Sequence, residues 1–193
     1  MKPTMKKITV LFVAANPADT DALQLDEEAR KVEERLRLAK AHERFVLHTQ
    51  WAARTEDLID GLVRYRPEVV HFSGHGTEDG RLVFVGQDKR RQLVGGAGLA
   101  AVFGVFTPRC VVLNACFSGE LCTPVGSVVD AVVGMSREVG DAAAVDFASG
   151  FYRCLGEGMS VRQAYEVGRA QVLLNGGAGD TPLLFLGKGD FCF

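Results

Sequence analysis

Two side chains that together can make a nucleophile stand among small residues in this sequence. His75 lies between Gly74 and Gly76, and Cys116 follows Asn114-Ala115 and precedes Phe117-Ser118-Gly119. A free thiol, with a pKa near ~8.5, is a poor nucleophile while protonated. An imidazole within hydrogen-bond reach takes that proton and later returns it to a leaving group. Attack of the Cys116 sulfur on a carbonyl would give an acyl-enzyme, and the developing oxyanion needs fixed donors. The backbone N–H groups of Gly76 and Cys116 are the candidates, since a glycine lets the chain approach a bound carbonyl closely.

The neighbouring residues read differently. His71 sits inside the apolar run Val69–Phe72 and reads as a buried structural histidine. Cys110, Cys154 and Cys192 read as core packing, and Cys122 as a bland neighbour of the nucleophile. Glu78, Asp79 and Glu120 are loop acids expected to be solvated, so no third residue stands out. A backbone carbonyl would orient His75 equally well.

The elements that must position this pair follow from hydrophobic periodicity. Strands are expected at Ile8–Ala15, Phe45–Trp51, Glu68–Ser73, Cys110–Asn114, Val128–Met135 and Pro182–Leu186. A hairpin is expected from Arg81–Val85 and Arg91–Val94 around the polar Gly86–Arg90. Helices are expected at about Leu23–Lys40, from Thr55 (a possible cap) to Pro67, at Gly98–Phe106, and at Asp141–Leu155. Another opens at Ser160, where Gln163 completes a capping box. The first helix places Leu25, Ala29, Val32 and Leu36 on one face. The charged run of Glu27, Glu28, Lys31, Glu33, Glu34, Arg35 and Arg37 reads as its solvated side. Alternating strands and helices make a mostly parallel, three-layer α/β sheet, in which ligands bind beyond the carboxyl ends of the strands. His75 and Cys116 both follow such ends. Neighbouring strands lie about 4.8 Å apart, so their loops can bring the ring and the thiol together.

Composition narrows the classes. The 193 residues are 47% hydrophobic with a net charge of −2, which suits a single domain over 1–193 with a substantial core. Lys and Arg are scattered, which argues against direct nucleic-acid binding. No apolar run reaches the ~18 residues of a membrane helix, and no signal peptide is read. Five cysteines without a CxxC pair suit a reducing cytoplasm. His71-x3-His75 with Cys116 and Cys122 imitates a zinc set, but on a strand and a glycine turn rather than a helix, so no metal is expected. The Gly95–Gly98 and Gly176–Gly179 stretches lack a GxGxxG or P-loop setting and read as loops.

The motifs His71-Phe-Ser-Gly-His-Gly76 and Val112-Leu-Asn-Ala-Cys-Phe-Ser-Gly119 resemble those of the CHAT family of caspase-like domains. Val132-Val-Gly-Met135, Phe151-Tyr152, Gly158-Met-Ser-Val-Arg-Gln-Ala164, Leu11-Phe-Val-Ala-Ala-Asn-Pro17 and Leu25-Asp-Glu-Glu28 extend the likeness over about Ile8 to Leu186. The resemblance implies a three-layer caspase-like fold with a mostly parallel six-stranded sheet and a small β-hairpin. It implies a His75–Cys116 dyad that cleaves protein substrates without a cofactor. It also implies control by a sensor protein or fused module, in bacterial defence or regulated death. The caspase signature has Gln where Asn114 stands, which makes Asn114 a candidate substrate contact and departs from the pattern for acidic substrates. Asp141, in Val139-Gly-Asp141, matches the acidic residue that receives a basic P1 side chain (the one before the scissile bond) in separases, or else caps a helix starting at Ala142. The alternative to an enzyme is a silent caspase-fold binding or signalling module.

Overall fold

The computed structural model describes residues 6–193; residues 1–5, within the expected single domain, lie outside the described residues. Strand β1 (Ile8–Ala15) is buried along nearly its whole length, as its unbroken apolar run requires. Helix α1 (Leu25–Leu38) carries Asp26, Glu27 and Glu28 in its first turn and Arg35 and Arg37 in its last, which complements the helix dipole. There follow β2 (Phe45–Gln50), α2 (Thr55–Tyr65), β3 (Val69–Gly74), the hairpin β4 (Leu82–Val85) and β5 (Arg91–Val94), and α3 (Gly96–Phe106). The chain continues with β6 (Cys110–Asn114), a 3-10 turn at Ser118–Leu121, the short α4 (Cys122–Gly126) and β7 (Ala131–Met135). It ends with α5 (Asp141–Gly156), α6 (Val161–Leu174) and β8 (Pro182–Leu186).

The six-stranded sheet has the order β2-β1-β3-β6-β7-β8. All neighbours are parallel except β7 and β8, which are antiparallel. The β4–β5 hairpin stands apart as a two-stranded sheet. Alternation along β1 divides the core in two. Val10, Phe12 and Ala14 pack with Val32, Leu36, Phe147, Phe151 and Tyr152 beneath α1 and α5. Leu11, Val13 and Ala15 pack on the other face with Leu58, Leu62, Leu99 and Phe103 from α2 and α3. The chain leaves β1 toward β2 on one side and returns to β3 on the other. The switch point of this sheet therefore lies at the carboxyl ends of β1 and β3, where an open α/β sheet forms its crevice.

Several boundaries depart from expectation. Thr55 is the first helical residue of α2 rather than its cap; the cap is Arg54, whose backbone N–H donates to Asp57 Oδ2 at 2.8 Å. Strand β7 starts at Ala131 rather than Val128, because Val128 N–H and Val129 N–H still donate to Val125 O at the end of α4. The Ser160–Gln163 box is formed, with Ser160 N–H on Gln163 Oε1 and Gln163 N–H on Ser160 Oγ. Cys192 is exposed rather than part of the core. No helix of the described residues is long and apolar enough to cross a membrane.

Candidate active site

Strands β3 and β6 are direct neighbours, and their last paired rung is Ser73 against Asn114. Two residues beyond that rung stand His75 and Cys116. The loops that carry them touch. A Cβ built on Gly76 would lie 1.8 Å from the Cys116 carbonyl oxygen, so only glycine allows this approach. His75 and Cys116 line one cleft with Leu23, Gln24, Glu28, Ser73, Asn114, Val139 and Asp141. The cleft holds a cavity of about 30 Å³. Its walls are the amino-terminal end of α1, the ends of β3 and β6, and the amino-terminal end of α5.

The turn at Cys116 is tightly held. Phe117 adopts a left-handed conformation with φ of 55°, which costs a non-glycine residue roughly 1–2 kcal/mol. Around it, Ser118 Oγ donates to Leu113 O at 2.6 Å and accepts from Met135 N–H at 2.9 Å. Phe117 N–H donates to Arg137 O. The Cys116 thiol donates weakly to Val139 O at 3.7 Å and accepts from Val139 N–H at 3.4 Å. Among the described residues it makes no hydrogen bond to His75.

His75 Nε2 approaches two acceptors, Asp21 O at 2.9 Å and Asn16 Oδ1 at 3.1 Å. A carbonyl can only accept, so Nε2 carries the proton in the neutral ring and Nδ1 is left as the basic nitrogen. The loop that supplies both acceptors follows β1 at the switch point. It is tied to the hairpin by Ala18 N–H on Lys89 O and by Arg91, which donates from its backbone and its guanidinium to Asp19. The Asp21 carbonyl is the kind of orienting group the sequence allows for. Asn16 is not foreseen as a partner, although the Asn16-Pro17 break after β1 marks where such a residue would stand.

The backbone N–H groups of Gly76 and Cys116 have no hydrogen-bond partner among the described residues. Gly76 pairs with Leu82 as an isolated antiparallel bridge flanked by Val83 N–H on His75 O and Thr77 N–H on Arg81 O. That is the non-hydrogen-bonded kind of pair, which turns the Gly76 N–H away from Leu82.

Asn114 lines the cleft, but its Nδ2 is engaged by Glu28 Oε1 at 2.6 Å and Ala144 O at 3.0 Å. Its buried Oδ1 has no partner. Asp141 also lines the cleft. The cap of α5 is Gly140, with Asp141 as the first helical residue, so the expected cap before Ala142 is corrected. Asp141 Oδ2 accepts from Gln24 N–H at 3.2 Å, joining the starts of α1 and α5.

Glu28 overturns the expectation of a solvated charge, being 3% exposed. It accepts from His71 Nε2 at 2.7 Å and Asn114 Nδ2 through Oε1, and from Ser73 Oγ at 2.5 Å through Oε2. His71 is fully buried; with Nε2 donating to Glu28, Nδ1 accepts from the Tyr152 hydroxyl at 3.1 Å. Burial holds that hydroxyl's pKa well above the ordinary tyrosine value. Both ring nitrogens of His71 are thus occupied within the core. Burial also pushes the thiols of Cys110 and Cys122 up to about 12, which keeps them protonated near neutrality.

Fold and site together define the class: a caspase-like α/β domain with a histidine and a cysteine presented to one cleft beyond neighbouring parallel strands. The model of the CHAT domain matches residues 2–178, and the chain belongs to this family. A protein of Gillisia limnaea described as a probable protease is 23% identical over 153 residues, covering 77% of this chain and 27% of that protein. The chain thus spans about a quarter of that relative's length. Its fold matches, with a TM-score of 0.65 and 10% identity, the structure of a secreted C11 cysteine protease from Bacteroides thetaiotaomicron in complex with an irreversible peptide inhibitor. The match covers 94% of this chain and 66% of that one.

Proposed function

We propose that this chain is a cysteine endopeptidase domain acting through His75 and Cys116. The observation that carries the reading is the shared cleft, in which His75 holds its Nε2 proton on the Asp21 carbonyl and keeps Nδ1 as a base. In the reaction, Nδ1 takes the thiol proton as Cys116 turns from Val139 toward the ring. The sulfur then adds to the peptide carbonyl, and the oxyanion is met by the N–H groups of Gly76 and Cys116. The imidazolium returns its proton to the departing amine, and water, deprotonated by the same nitrogen, releases the acyl group. Thiol and imidazole supply all of this without a cofactor or metal.

The cleft offers the half-buried carboxylate of Asp141, and the buried Asn114 Oδ1 beneath it has no partner. That lining favours a cationic P1 side chain, Arg or Lys, with Asp141 and Asn114 as its contacts. The weak Cys116–Val139 contact describes a resting thiol, in keeping with an enzyme that a regulatory protein or fused module switches on. The setting we infer is cytoplasmic, in bacterial defence or regulated death, with protein substrates. The same contact would also suit a silent module that never aligns the pair.

A peptide-library digest comparing the protein with Cys116→Ala tests the reading. The expected outcome is cleavage after Arg or Lys by the unmodified protein and none by the variant. In the same digest Asp141→Asn should weaken KM for basic-P1 peptides about tenfold. Cleavage that persists in Cys116→Ala removes the mechanism. Basic-P1 cleavage unchanged in Asp141→Asn removes the specificity.

A further inference from the structure

The two catalytic segments leave the sheet from one rung, and a single buried carboxylate spans it. Ser73 and Asn114 face each other across β3 and β6. Ser73 stands two residues before His75, and Asn114 two residues before Cys116. Glu28, from a third element, bonds Ser73 with one oxygen and Asn114 with the other. The backbone ladder between β3 and β6 ends at this rung. Beyond it, the two segments are brought together by the close approach of Gly76 to Cys116.

We propose that Glu28 is a positioning residue for the His75–Cys116 pair, acting as the last lateral tie between the strand ends that carry it. The inference rests on the peptidase reading and extends it to a residue that holds the reacting groups without touching them.

The groups around Glu28 suit a carboxylate. Glu28 meets three donors, from His71, Asn114 and Ser73, and only a carboxylate accepts at both oxygens at once. A glutamine of the same shape could keep its oxygen on His71 and Asn114 and turn its NH2 group to the Ser73 oxygen, which reverses that bond and replaces charge-assisted contacts by weaker neutral ones. The tie is braced from behind as well. The Tyr152 hydroxyl fixes the far side of His71, and Asp141 holds the start of α1 through the Gln24 N–H. The starts of α1 and α5 are thereby linked to the same rung. A lateral slip of one strand end relative to the other would alter the distance over which the Cys116 proton must reach His75 Nδ1. A displacement of about 1 Å at such a distance costs on the order of 10²-fold in rate.

Two variants separate positioning from simple stabilisation. Glu28→Gln removes the charge and one acceptor. Ser73→Ala keeps the charge and removes one arm of the tie. Three measurements are made on each: the pH profile of Cys116 alkylation by iodoacetamide, read at that residue by mass spectrometry; kcat and KM for the best library peptide; and the melting temperature. We expect Glu28→Gln to lower kcat about 10- to 100-fold with KM within about threefold. It should also slow Cys116 alkylation at pH 7, because a thiol that must turn from Val139 to reach the ring finds it in line less often. Ser73→Ala should lower both rates about threefold to fivefold.

Folded variants with the unmodified kcat and alkylation profile would overturn the proposal, whatever their melting temperatures. So would a loss confined to KM, since Glu28 would then act as a substrate contact in the cleft it lines. Should Glu28→Gln fail to fold, Ser73→Ala decides alone by the same criteria. Failure of the underlying reading looks different: the unmodified protein would cleave no library peptide, or would cleave as well after Cys116→Ala, and the proposal would fall with it.

Discussion

Gly76→Ala is the sharpest perturbation of this site, because the structure fixes its size. The added methyl would start 1.8 Å from the Cys116 carbonyl oxygen and 2.9 Å from its carbonyl carbon. Carbon atoms in real side chains essentially never come closer than 3.0 Å to such a neighbour, so the two loops must part by about 1.2 Å. The obstacle is backbone, which has no rotamer to escape into. Nor does the Cys116 turn yield easily: Phe117 is already left-handed, and Ser118 is bonded on both sides. The gap therefore opens between the nucleophile and the base, and it shifts an oxyanion donor as well. A displacement of this order corresponds to about 10²-fold in kcat/KM, or about 2.7 kcal/mol of transition-state stabilisation. Peptide hydrolysis and Cys116 alkylation measured side by side, with circular dichroism to confirm folding, make the assay. Both rates should fall together. A folded Gly76→Ala protein with peptidase activity within threefold of the unmodified one would refute the claim that these loops meet.

Other expectations follow from single contacts. Asn16→Ala removes one of the two acceptors on His75 Nε2 and leaves the Asp21 carbonyl; kcat/KM should fall about fivefold to tenfold, the equivalent of about 1 kcal/mol for one hydrogen bond. An unchanged rate would mean that the carbonyl alone orients the ring. Alkaline pH should loosen the fold through two buried thiols. Cys110 and Cys122 ionise at about 12 in the folded chain, against 9.0 ordinarily. On raising the pH the unfolded chain loses these protons first, so the stability is whole below about pH 9 and is lost progressively toward pH 12. At pH 10.5 each thiol should account for a loss of about 2 kcal/mol. The urea midpoint should drop between pH 7.5 and 10.5, and one that holds or rises would contradict the burial of these groups.

Why the strands were legible and the support of the site was not comes down to which signals survive in one dimension. Buried parallel strands are continuous apolar runs, so Ile8–Ala15 and Cys110–Asn114 carry their ends in the sequence. The α/β order then places His75 and Cys116 beyond two strand ends, and their glycines mark close approach. The start of β7 is harder, because Val128 and Val129 are as apolar as the strand they precede and only the turn after α4 sets them apart.

Glu28 shows what composition hides. It sits among acids and bases and reads as solvated, yet its position obeys the same periodicity that identifies α1. With Leu25, Ala29, Val32 and Leu36 it falls on the three-and-four spacing of the buried face. A charge on that face must either unfold its surroundings or find partners, because a buried carboxylate without donors costs several kcal/mol. The partners were already visible as oddities elsewhere: a histidine and a serine within strand β3, and an asparagine ending β6. Each polar residue alone breaks the apolar pattern of its own element. Taken together, the other three donate to the Glu28 carboxylate at the rung from which the reacting groups emerge. The place where local pattern fails on three elements at once is therefore where this fold invests polarity in its core, directly beneath the cleft that His75 and Cys116 share.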